Sequence, residues 1–292
     1  MHLTIQGLRQ ILKSDLALIK HIASVTHAER ILAIGTHAVR LDNLRCDKEL
    51  NVLKAQIEAD CLAAHLDVTF SDVSRTLADF KLVAMDMDST LITIECIDEI
   101  ADMQGLKPQV SEITEAAMRG EIEFQESLTR RVALLKGLDA GALQKVYDER
   151  LQLSSGAEKM LKTVQQAGLK TLLVSGGFTF FTDRMKTRLN LDYTHANVLE
   201  IDQGKLTGKV IGGIVDAIEK QNTVERVADE MGITTDQVIV MGDGANDLKM
   251  MSISGMSVAF RAKPIVRAQA DVALNFVGLD GMLNVLHAFH QE

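Results

Sequence analysis

The chain is 292 residues long, 47% of them hydrophobic, and carries a formal net charge of −9 at pH 7. This length allows one large or two ordinary domains with a sizeable core. The acidic balance, without any block rich in lysine or arginine, argues against general affinity for nucleic acid, and we expect no nucleic-acid partner.

The sequence carries no recognisable targeting or membrane signal. Its start has no basic segment followed by an apolar signal core, and no apolar run is long enough to span a bilayer. Cys46, Cys61 and Cys96 are odd in number and far apart, which is typical of a reducing compartment rather than of a disulfide framework. We therefore expect a cytoplasmic protein with no membrane partner.

Residues 1–75 are predicted to form a small α/β module. The hydrophobic pattern favours a helical stretch around 8–25, a strand at 30–34, a helix around 50–65 and a strand at 66–70. Its histidines are scattered without metal-ligand spacing, and the module shows no catalytic constellation.

From Lys81 onward, short apolar strands alternate with helices, which predicts a parallel sheet covered on both faces. The predicted core strands are 82–85, 171–174, 238–241, 257–260 and 272–275. The segment 193–214 is a hairpin candidate that turns at Asp202-Gln203-Gly204-Lys205.

About eighty residues separate the first two core strands, far more than a crossover needs. We therefore predict a core domain over 76–292 with a subdomain inserted at about 93–153. Three short helical patterns end near Gly105, Gly120 and Gly137, and a fourth runs from about 140 to 151. Four such helices suit a lid over the strand ends.

Asp86 and Asp88 directly follow the first core strand. Open α/β sheets carry their chemistry at the carboxyl ends of such strands. Two aspartates this close can act as nucleophile and proton carrier if their surroundings push their pKa values apart. An acidic turn after a strand is also common, so the rest of the chain must decide between these interpretations.

Three later segments supply complementary groups. Ser175-Gly176-Gly177 offers a hydroxyl and backbone N–H groups at a helix start that could bind phosphate oxygens. Lys220 opens a polar helix start and becomes relevant if that turn faces the aspartates. The segment 242–247, Gly-Asp-Gly-Ala-Asn-Asp, offers hard oxygen ligands for Mg²⁺, whereas a calcium loop would need a longer ligand series.

These four segments resemble, in order and spacing, the motifs of the haloacid dehalogenase superfamily of phosphatases. The resemblance covers Lys81 to the carboxyl terminus. Residues 95–99, 117–120, 124–128 and 130–132 resemble the helical cap of phosphoserine phosphatases within that superfamily. The resemblance implies a HAD-like Rossmannoid parallel sheet with an inserted helical-bundle cap, beside an amino-terminal module that is regulatory or a reduced ferredoxin-like fold.

The resemblance also implies a reaction: Mg²⁺-dependent hydrolysis of O-phospho-L-serine to L-serine and phosphate, the last step of serine biosynthesis. Asp86 would attack phosphorus and form an aspartyl-phosphate, and Asp88 would protonate the leaving oxygen and later deprotonate water. Mg²⁺ would be held by the Asp86 and Asp243 carboxylates and the Asp88 backbone carbonyl, with Asp247 orienting metal-bound waters.

For the phosphoryl group, the resemblance implies that Ser175, the Gly176 N–H and Lys220 surround its oxygens, with Asn246 as a further donor. Thr90 is expected to brace the catalytic loop through its hydroxyl.

For the amino-acid end of the substrate, Glu95 would accept from the ammonium and Arg131 would bind the carboxylate with its guanidinium fork. Met118 and Phe124 would form apolar walls, although packing within the cap explains these two residues almost as well. Arg130 is the weaker candidate beside Arg131.

Two alternatives stay open at this stage. A related phosphatase or phosphotransferase could act on another small phosphomonoester such as phosphohomoserine, because Glu95 and Arg131 do not separate serine from homoserine. A non-enzymatic ligand sensor on a dead phosphatase core would be expected to lack a nucleophile or metal acid, and all of these are present. The sequence is also compatible with a homodimer.

Overall fold

The computed structural model describes residues 1–45, 50–71, 75–118 and 121–286, with the backbone alone at 50, 51 and 118. These residues form a four-stranded antiparallel sheet near the amino terminus and a seven-stranded, mostly parallel sheet. The α/β class predicted from the sequence is confirmed.

The small sheet belongs to a complete βαββαβ unit. Its elements are β1 (His2–Gly7), α1 (Lys13–Val25), β2 (Arg30–Ile34), β3 (Ala38–Asp42), α2 (Leu50–Ala63) and β4 (Leu66–Ser71). The strands lie in the order β2-β3-β1-β4, and every pair is antiparallel. This is the split βαβ arrangement of ferredoxin-like folds. The sequence pattern missed β1 and β3. The expectation of a reduced ferredoxin-like fold was therefore wrong.

The first helix begins later than the pattern suggested. The Asp15 carboxylate accepts from the Leu12 N–H at 2.7 Å and also pairs with the Arg9 guanidinium. This contact satisfies a free N–H at the helix start and holds the preceding residues in a loop. The helix therefore starts at Lys13 rather than near residue 8.

The large sheet contains all five predicted core strands and the predicted hairpin. Its strands are β5 (Leu82–Met85), β6 (Lys170–Phe178), β7 (Tyr193–Asp202), β8 (Lys205–Ile211), β9 (Val238–Gly242), β10 (Met256–Phe260) and β11 (Val272–Leu274). Their order is β11-β10-β9-β5-β6-β7-β8, and only β8 runs antiparallel to its neighbour. Gln203 and Gly204 both have positive φ, as a two-residue hairpin turn requires.

Strand β5 lies at the point where the sheet reverses its order. The chain continues from β5 to β6 on one side and returns later to β9 on the other. Open α/β sheets form their binding crevice at such a switch point. Val83 and Met85 face one hydrophobic cluster, Leu82 and Ala84 face another, and all four are fully buried.

Ten α-helices follow β4 in the described part of the chain. Four of them form the cap: α3 (Cys96–Asp102), α4 (Lys107–Met118), α5 (Phe124–Leu134) and α6 (Gly141–Glu149). The other six accompany the large sheet: α7 (Ala157–Gln166), α8 (Thr179–Leu189), α9 (Ala217–Met231), α10 (Leu248–Ser252), α11 (Pro264–Arg267) and α12 (Gly281–Val285). A search of the described helices finds none with the length and apolar character needed to cross a membrane.

Two linkers join the cap to the core and pair with each other. Ile92 bridges Leu153, and the Ser154 N–H donates to the Leu91 carbonyl at 3.0 Å. The Thr93 N–H donates to the Gln152 carbonyl at 2.9 Å. The cap is therefore attached through one paired stem, which fixes its position over the carboxyl ends of β5 and β6.

A buried carboxylate joins the small sheet to the large one. Asp67 is 1% exposed and accepts from the N–H groups of Asn275, Phe276 and Val277 at 2.8 to 3.0 Å. The Asn275 amide adds a fourth bond at 3.1 Å. Charge-assisted bonds of this kind are stronger than neutral ones, so the segment after β11 holds the amino-terminal module in place.

Candidate active site

The turn after β5 places Asp86 at the switch point. Its N–H donates to the Met241 carbonyl at 3.0 Å, which continues the pairing with β9, and its Oδ1 accepts from the Met87 N–H at 2.7 Å. Ser89 has φ of 55°, a left-handed conformation that is uncommon without glycine. The chain thereby turns sharply and presents the Asp86 carboxylate at the sheet edge.

Lys220 reaches this carboxylate from the first turn of α9. The Asp216 side chain begins that helix by accepting from the N–H groups of Ile218 and Glu219. Lys220 is fully buried, and its Nζ lies 2.9 Å from Asp86 Oδ2 and 2.8 Å from Asp247 Oδ1. Burial alone would lower the pKa of Lys220, but the two carboxylates outweigh burial and raise it. The lysine is therefore positively charged and faces the aspartates.

Asp247 holds the loop that follows β9. Its Oδ2 accepts from the N–H groups of Asp243 and Gly244 at 3.1 and 3.0 Å, while its Oδ1 accepts from Lys220. The Thr90 hydroxyl donates to Asp243 Oδ1 at 3.2 Å, which links this loop to the one after β5. Spacing in the sequence did not predict the bonds made by Lys220 and Thr90, because their partners are 27 and 153 residues away.

The carboxylates of Asp86, Asp243 and Asp247 suit a hard cation. Each offers an oxygen, and these oxygens lie within 4.8 Å of one another. Burial raises the pKa of Asp86, and burial together with the Asp247 charge raises the pKa of Asp243 to about 7. A divalent cation would compensate this crowded negative charge. Because Asp247 already accepts three hydrogen bonds, Asp86 and Asp243 have the oxygens better placed for direct ligation.

Asp88 lies in a different environment from Asp86. Its Oδ1 accepts from the Cys96 N–H at 3.1 Å. Burial, followed by the charge of Glu95, raises the pKa of Asp88 to about 7. A carboxyl group with a pKa near neutrality can both give and take a proton at physiological pH, which is what a general acid and base requires.

The Ser175-Gly176-Gly177 segment lies at the end of β6. The strand continues to Phe178 and α8 begins only at Thr179, so the predicted helix start at these residues was wrong. A shift of register against β7 occurs here, and the Ser175 hydroxyl accepts from the Gly177 N–H at 2.8 Å. Ser175 is fully buried and lies 3.0 Å from where a methyl group on Gly177 would stand.

Asn197 supports this segment and was not predicted. Its Nδ2 donates to the Gly176 carbonyl at 2.8 Å, and its Oδ1 accepts from the Val215 N–H at 2.8 Å. It is 1% exposed and lies on β7 in a stretch without a motif. Strand β7 also contains Thr194, His195, Glu200 and Asp202, so the sequence offered no signal that distinguished Asn197.

Gly177 lies so close to Asp88 that any side chain at position 177 would displace the Asp88 carboxylate. A Cβ atom at Gly177 would stand 2.5 Å from Asp88 Oδ2. We expect Gly177→Ala to lower kcat about a hundredfold, because Asp88 is the expected proton carrier and small misplacements of such a group have effects of this size. Steady-state phosphate release provides the measurement. Gly213→Ala is the matched control, since nothing lies within 4 Å of its Cβ position, and equal kcat values for the two variants would contradict the expectation.

Two charged cap residues lie toward these catalytic loops. The Ser89 hydroxyl donates to Glu95 Oε1 at 2.6 Å. Arg131 is half-buried, and its Nε approaches the Ser127 carbonyl at 3.4 Å. Burial lowers the pKa of Arg131, while the charges of Asp98, Glu95 and Asp88 act in the opposite direction. Arg131 therefore shares one electrostatic environment with Glu95 and Asp88.

The cap contacts the core at Phe124. A methyl group on Gly176 would come within 3.1 Å of the Phe124 ring, and the neighbouring Gln125 amide donates to Asp216 at 2.7 Å. These contacts bring the start of α5 against the Ser175 loop and the start of α9. The cleft between cap and core is consequently narrow at this point.

The remaining predicted residues have no described contact with the other predicted site residues. Asn246 is half-buried in the loop of Asp243 and Asp247, and makes no hydrogen bond to the other predicted groups within the described residues. Arg130 is exposed and pairs with Glu126 on the same helix. The Met118 side chain lies outside the described residues, so its predicted wall position stays a prediction.

Comparison with known proteins agrees with this geometry. The family model described as haloacid dehalogenase-like hydrolase matches residues 80–255. A phosphoserine phosphatase of a Polaromonas species is 54% identical over 215 residues, which cover 72% of this chain and 91% of that protein.

Two solved structures resemble nearly the whole chain. A HAD family hydrolase from Salmonella enterica serovar Typhi has a TM-score of 0.86 at 30% identity and covers 98% of both chains. A probable phosphoserine phosphatase from Vibrio cholerae has a TM-score of 0.80 at 36% identity and covers 98% of this chain and 86% of that one.

The chain belongs to the haloacid dehalogenase-like hydrolase family, and the predicted HAD-like fold is confirmed. Three curated relatives that match it at 48 to 54% identity are named phosphoserine phosphatase. It is accordingly an enzyme of the phosphatase class. The alternative of a non-enzymatic ligand sensor is set aside.

Proposed function

We propose that this enzyme hydrolyses O-phospho-L-serine to L-serine and inorganic phosphate with Mg²⁺, as the last step of serine biosynthesis in the cytoplasm. One observation carries the substrate assignment. A half-buried guanidinium, Arg131, and a carboxylate, Glu95, act on the same cleft as Asp88. Opposite charges flanking the catalytic acid suit a zwitterionic amino acid and disfavour a sugar phosphate.

In the first chemical step, an Asp86 carboxylate oxygen attacks phosphorus and the bond from phosphorus to the seryl oxygen breaks. Asp88 gives its proton to the departing oxygen, and L-serine leaves. The pKa of Asp88, raised to about 7 by burial, supports a protonated form at this stage. The product on the enzyme is an aspartyl-phosphate.

In the second step, Asp88 takes a proton from water, and the water oxygen attacks phosphorus. The bond from phosphorus to Asp86 breaks, which releases phosphate and restores the carboxylate. Splitting the transfer in this way replaces one difficult attack by two in-line displacements. Ser175, the Gly176 N–H and Lys220 would bind the phosphoryl oxygens in both steps, with Asn246 as a further donor.

Mg²⁺ would be held by the Asp86 and Asp243 carboxylates and by the Asp88 backbone carbonyl. Bound there, the ion supplies positive charge that offsets the repulsion between a carboxylate nucleophile and a phosphate. Asp247 contributes by holding Lys220 and the Asp243 loop in place through its hydrogen bonds. Orientation of metal-bound waters by Asp247 remains part of the proposal.

The decisive experiment measures phosphate release from a panel of phosphomonoesters, with added Mg²⁺ or with EDTA. The panel contains L-phosphoserine, D-phosphoserine, phosphothreonine, phosphohomoserine and sugar phosphates. We expect the highest kcat/KM with L-phosphoserine and loss of activity in EDTA that Mg²⁺ restores. Equal kcat/KM across the panel would refute the substrate assignment, and a preference for phosphohomoserine would favour the related phosphatase instead.

A further inference from the structure

Two buried polar atoms in the cap have no hydrogen-bond partner within the described residues. One is Oδ1 of Asp98, on α3, and the other is Oγ of Ser127, on α5. These two helices pack against each other. Leaving a buried carboxylate oxygen without a donor is costly, so such an atom in a folded protein calls for an explanation.

Each unpartnered group lies one helical turn from a predicted substrate residue. Asp98 follows Glu95 by three positions at the start of α3, and Ser127 precedes Arg131 by four positions on α5. Residues at these spacings share one face of a helix. The two groups therefore belong to the surroundings of the predicted amino-acid site, and the phosphate chemistry derived above uses neither of them.

Arg131 itself is weakly held. Its single hydrogen bond among the described residues is the 3.4 Å contact from Nε to the Ser127 carbonyl, which is at the long end for such a bond. A long, flexible side chain with one such contact would otherwise sample several rotamers. Something else must favour one orientation if the guanidinium is to bind a carboxylate with two parallel bonds.

Asp98, which lies on the neighbouring helix α3 and has an unpartnered Oδ1, is the acidic group whose charge acts most strongly on Arg131. Burial raises the pKa of Asp98, and Arg131 is the charge that opposes this most strongly. Burial lowers the pKa of Arg131, and Asp98 is the charge that opposes that most strongly. The nearby Glu99 is already engaged by Lys107 and Arg150. Asp98 thus has Arg131 as its main counter-charge.

We propose that Asp98 is a positioning residue that orients the Arg131 guanidinium toward the substrate carboxylate. Its negative charge attracts the guanidinium from the side of α3 and leaves the paired N–H groups free for the ligand. Asp98 does not touch the substrate. The inference rests on the proposed function, because it needs a substrate with a carboxylate.

The test compares O-phospho-L-serine with phosphoethanolamine, which keeps the ammonium and lacks the carboxylate. For Asp98→Asn, we expect KM for phosphoserine to rise about tenfold, kcat to change less than about twofold, and KM for phosphoethanolamine to stay unchanged. Asp98→Glu should restore part of the lost affinity. Glu126→Gln, which removes the carboxylate paired with exposed Arg130, is the matched control and should change neither KM.

Each other outcome overturns the inference in a distinct way. A lower KM for phosphoserine would mean that Asp98 repels the substrate carboxylate. A parallel rise for both substrates would mean that it binds the ammonium or supports the cap generally, and unchanged KM values would mean that Arg131 needs no partner. If the unmodified enzyme uses both substrates equally well, the proposed function itself fails, and the inference fails with it.

Discussion

Replacing Asp86 by Asn is expected to abolish turnover while leaving the fold intact. Asparagine has nearly the same shape, and its oxygen can still accept from the Met87 N–H. It cannot form an acyl phosphate, so we expect kcat to fall by at least about ten-thousandfold. The free energy of unfolding should change by less than about 1 kcal/mol, since one of three crowded carboxylates is removed while Lys220 keeps Asp247 as a partner.

A chemical trap separates the loss of the nucleophile from other causes. Acid quenching of the unmodified enzyme with phosphate-labelled substrate should leave label on the protein that hydroxylamine releases, as expected for an acyl phosphate. The Asp86→Asn variant should retain none. Asp202→Asn, at the exposed end of β7, serves as a control with full labelling. Residual label on Asp86→Asn would show that another residue is the nucleophile.

Local patterns in the sequence predicted the catalytic elements well. Strands β5, β6 and β9 each contain a short apolar run that is followed by an acidic or glycine-rich segment. Because parallel strands bring their carboxyl ends to one edge, three local predictions were enough to place the Asp86, Ser175 and Asp243 segments together. The structure agrees with that arrangement.

Elements whose burial depends on distant partners were harder to predict. Strand β3 is buried along its whole length, yet it contains Arg40 and Asp42, which are residue types that usually face solvent. Asp42 accepts from the Arg40 Nε at 2.7 Å and pairs with His2, so these polar residues are satisfied within the small sheet. Such pairing cannot be read from spacing, which is why β1 and β3 were missed.

The same limit applied to the centre of the active site. The resemblance implied that Asp243 holds the metal and that Asp247 orients its waters, but the hydrogen bonds that Asp247 accepts from Lys220 and two loop N–H groups were not predicted. Only the folded structure shows that Asp247 accepts three hydrogen bonds and that Asp243 accepts fewer. Asp247 therefore accepts hydrogen bonds from both Lys220 and the loop after β9.

Replacing Lys220 by Met is expected to destabilise the protein strongly as well as inactivate it. Lys220 is fully buried, and its ammonium is 2.9 Å from Asp86 and 2.8 Å from Asp247. Methionine fills a similar volume without charge, so two buried carboxylates lose their counter-charge. Removing one partner of a buried ion pair costs about 3–5 kcal/mol, and we expect a loss of this size in the free energy of unfolding measured by urea denaturation.

The double variant Lys220→Met, Asp247→Asn tests the cause of that loss. An asparagine oxygen can still accept from the Asp243 and Gly244 N–H groups, and one of the two uncompensated charges is gone while that of Asp86 stays. We therefore expect the double variant to be more stable than Lys220→Met alone, although neither should release phosphate. A thermodynamic cycle with Asp247→Asn gives the coupling energy of the pair. If the losses in unfolding free energy of the two single variants simply add, Lys220 stabilises the fold through packing. In that case the pairing of its charge with Asp247 contributes little to stability.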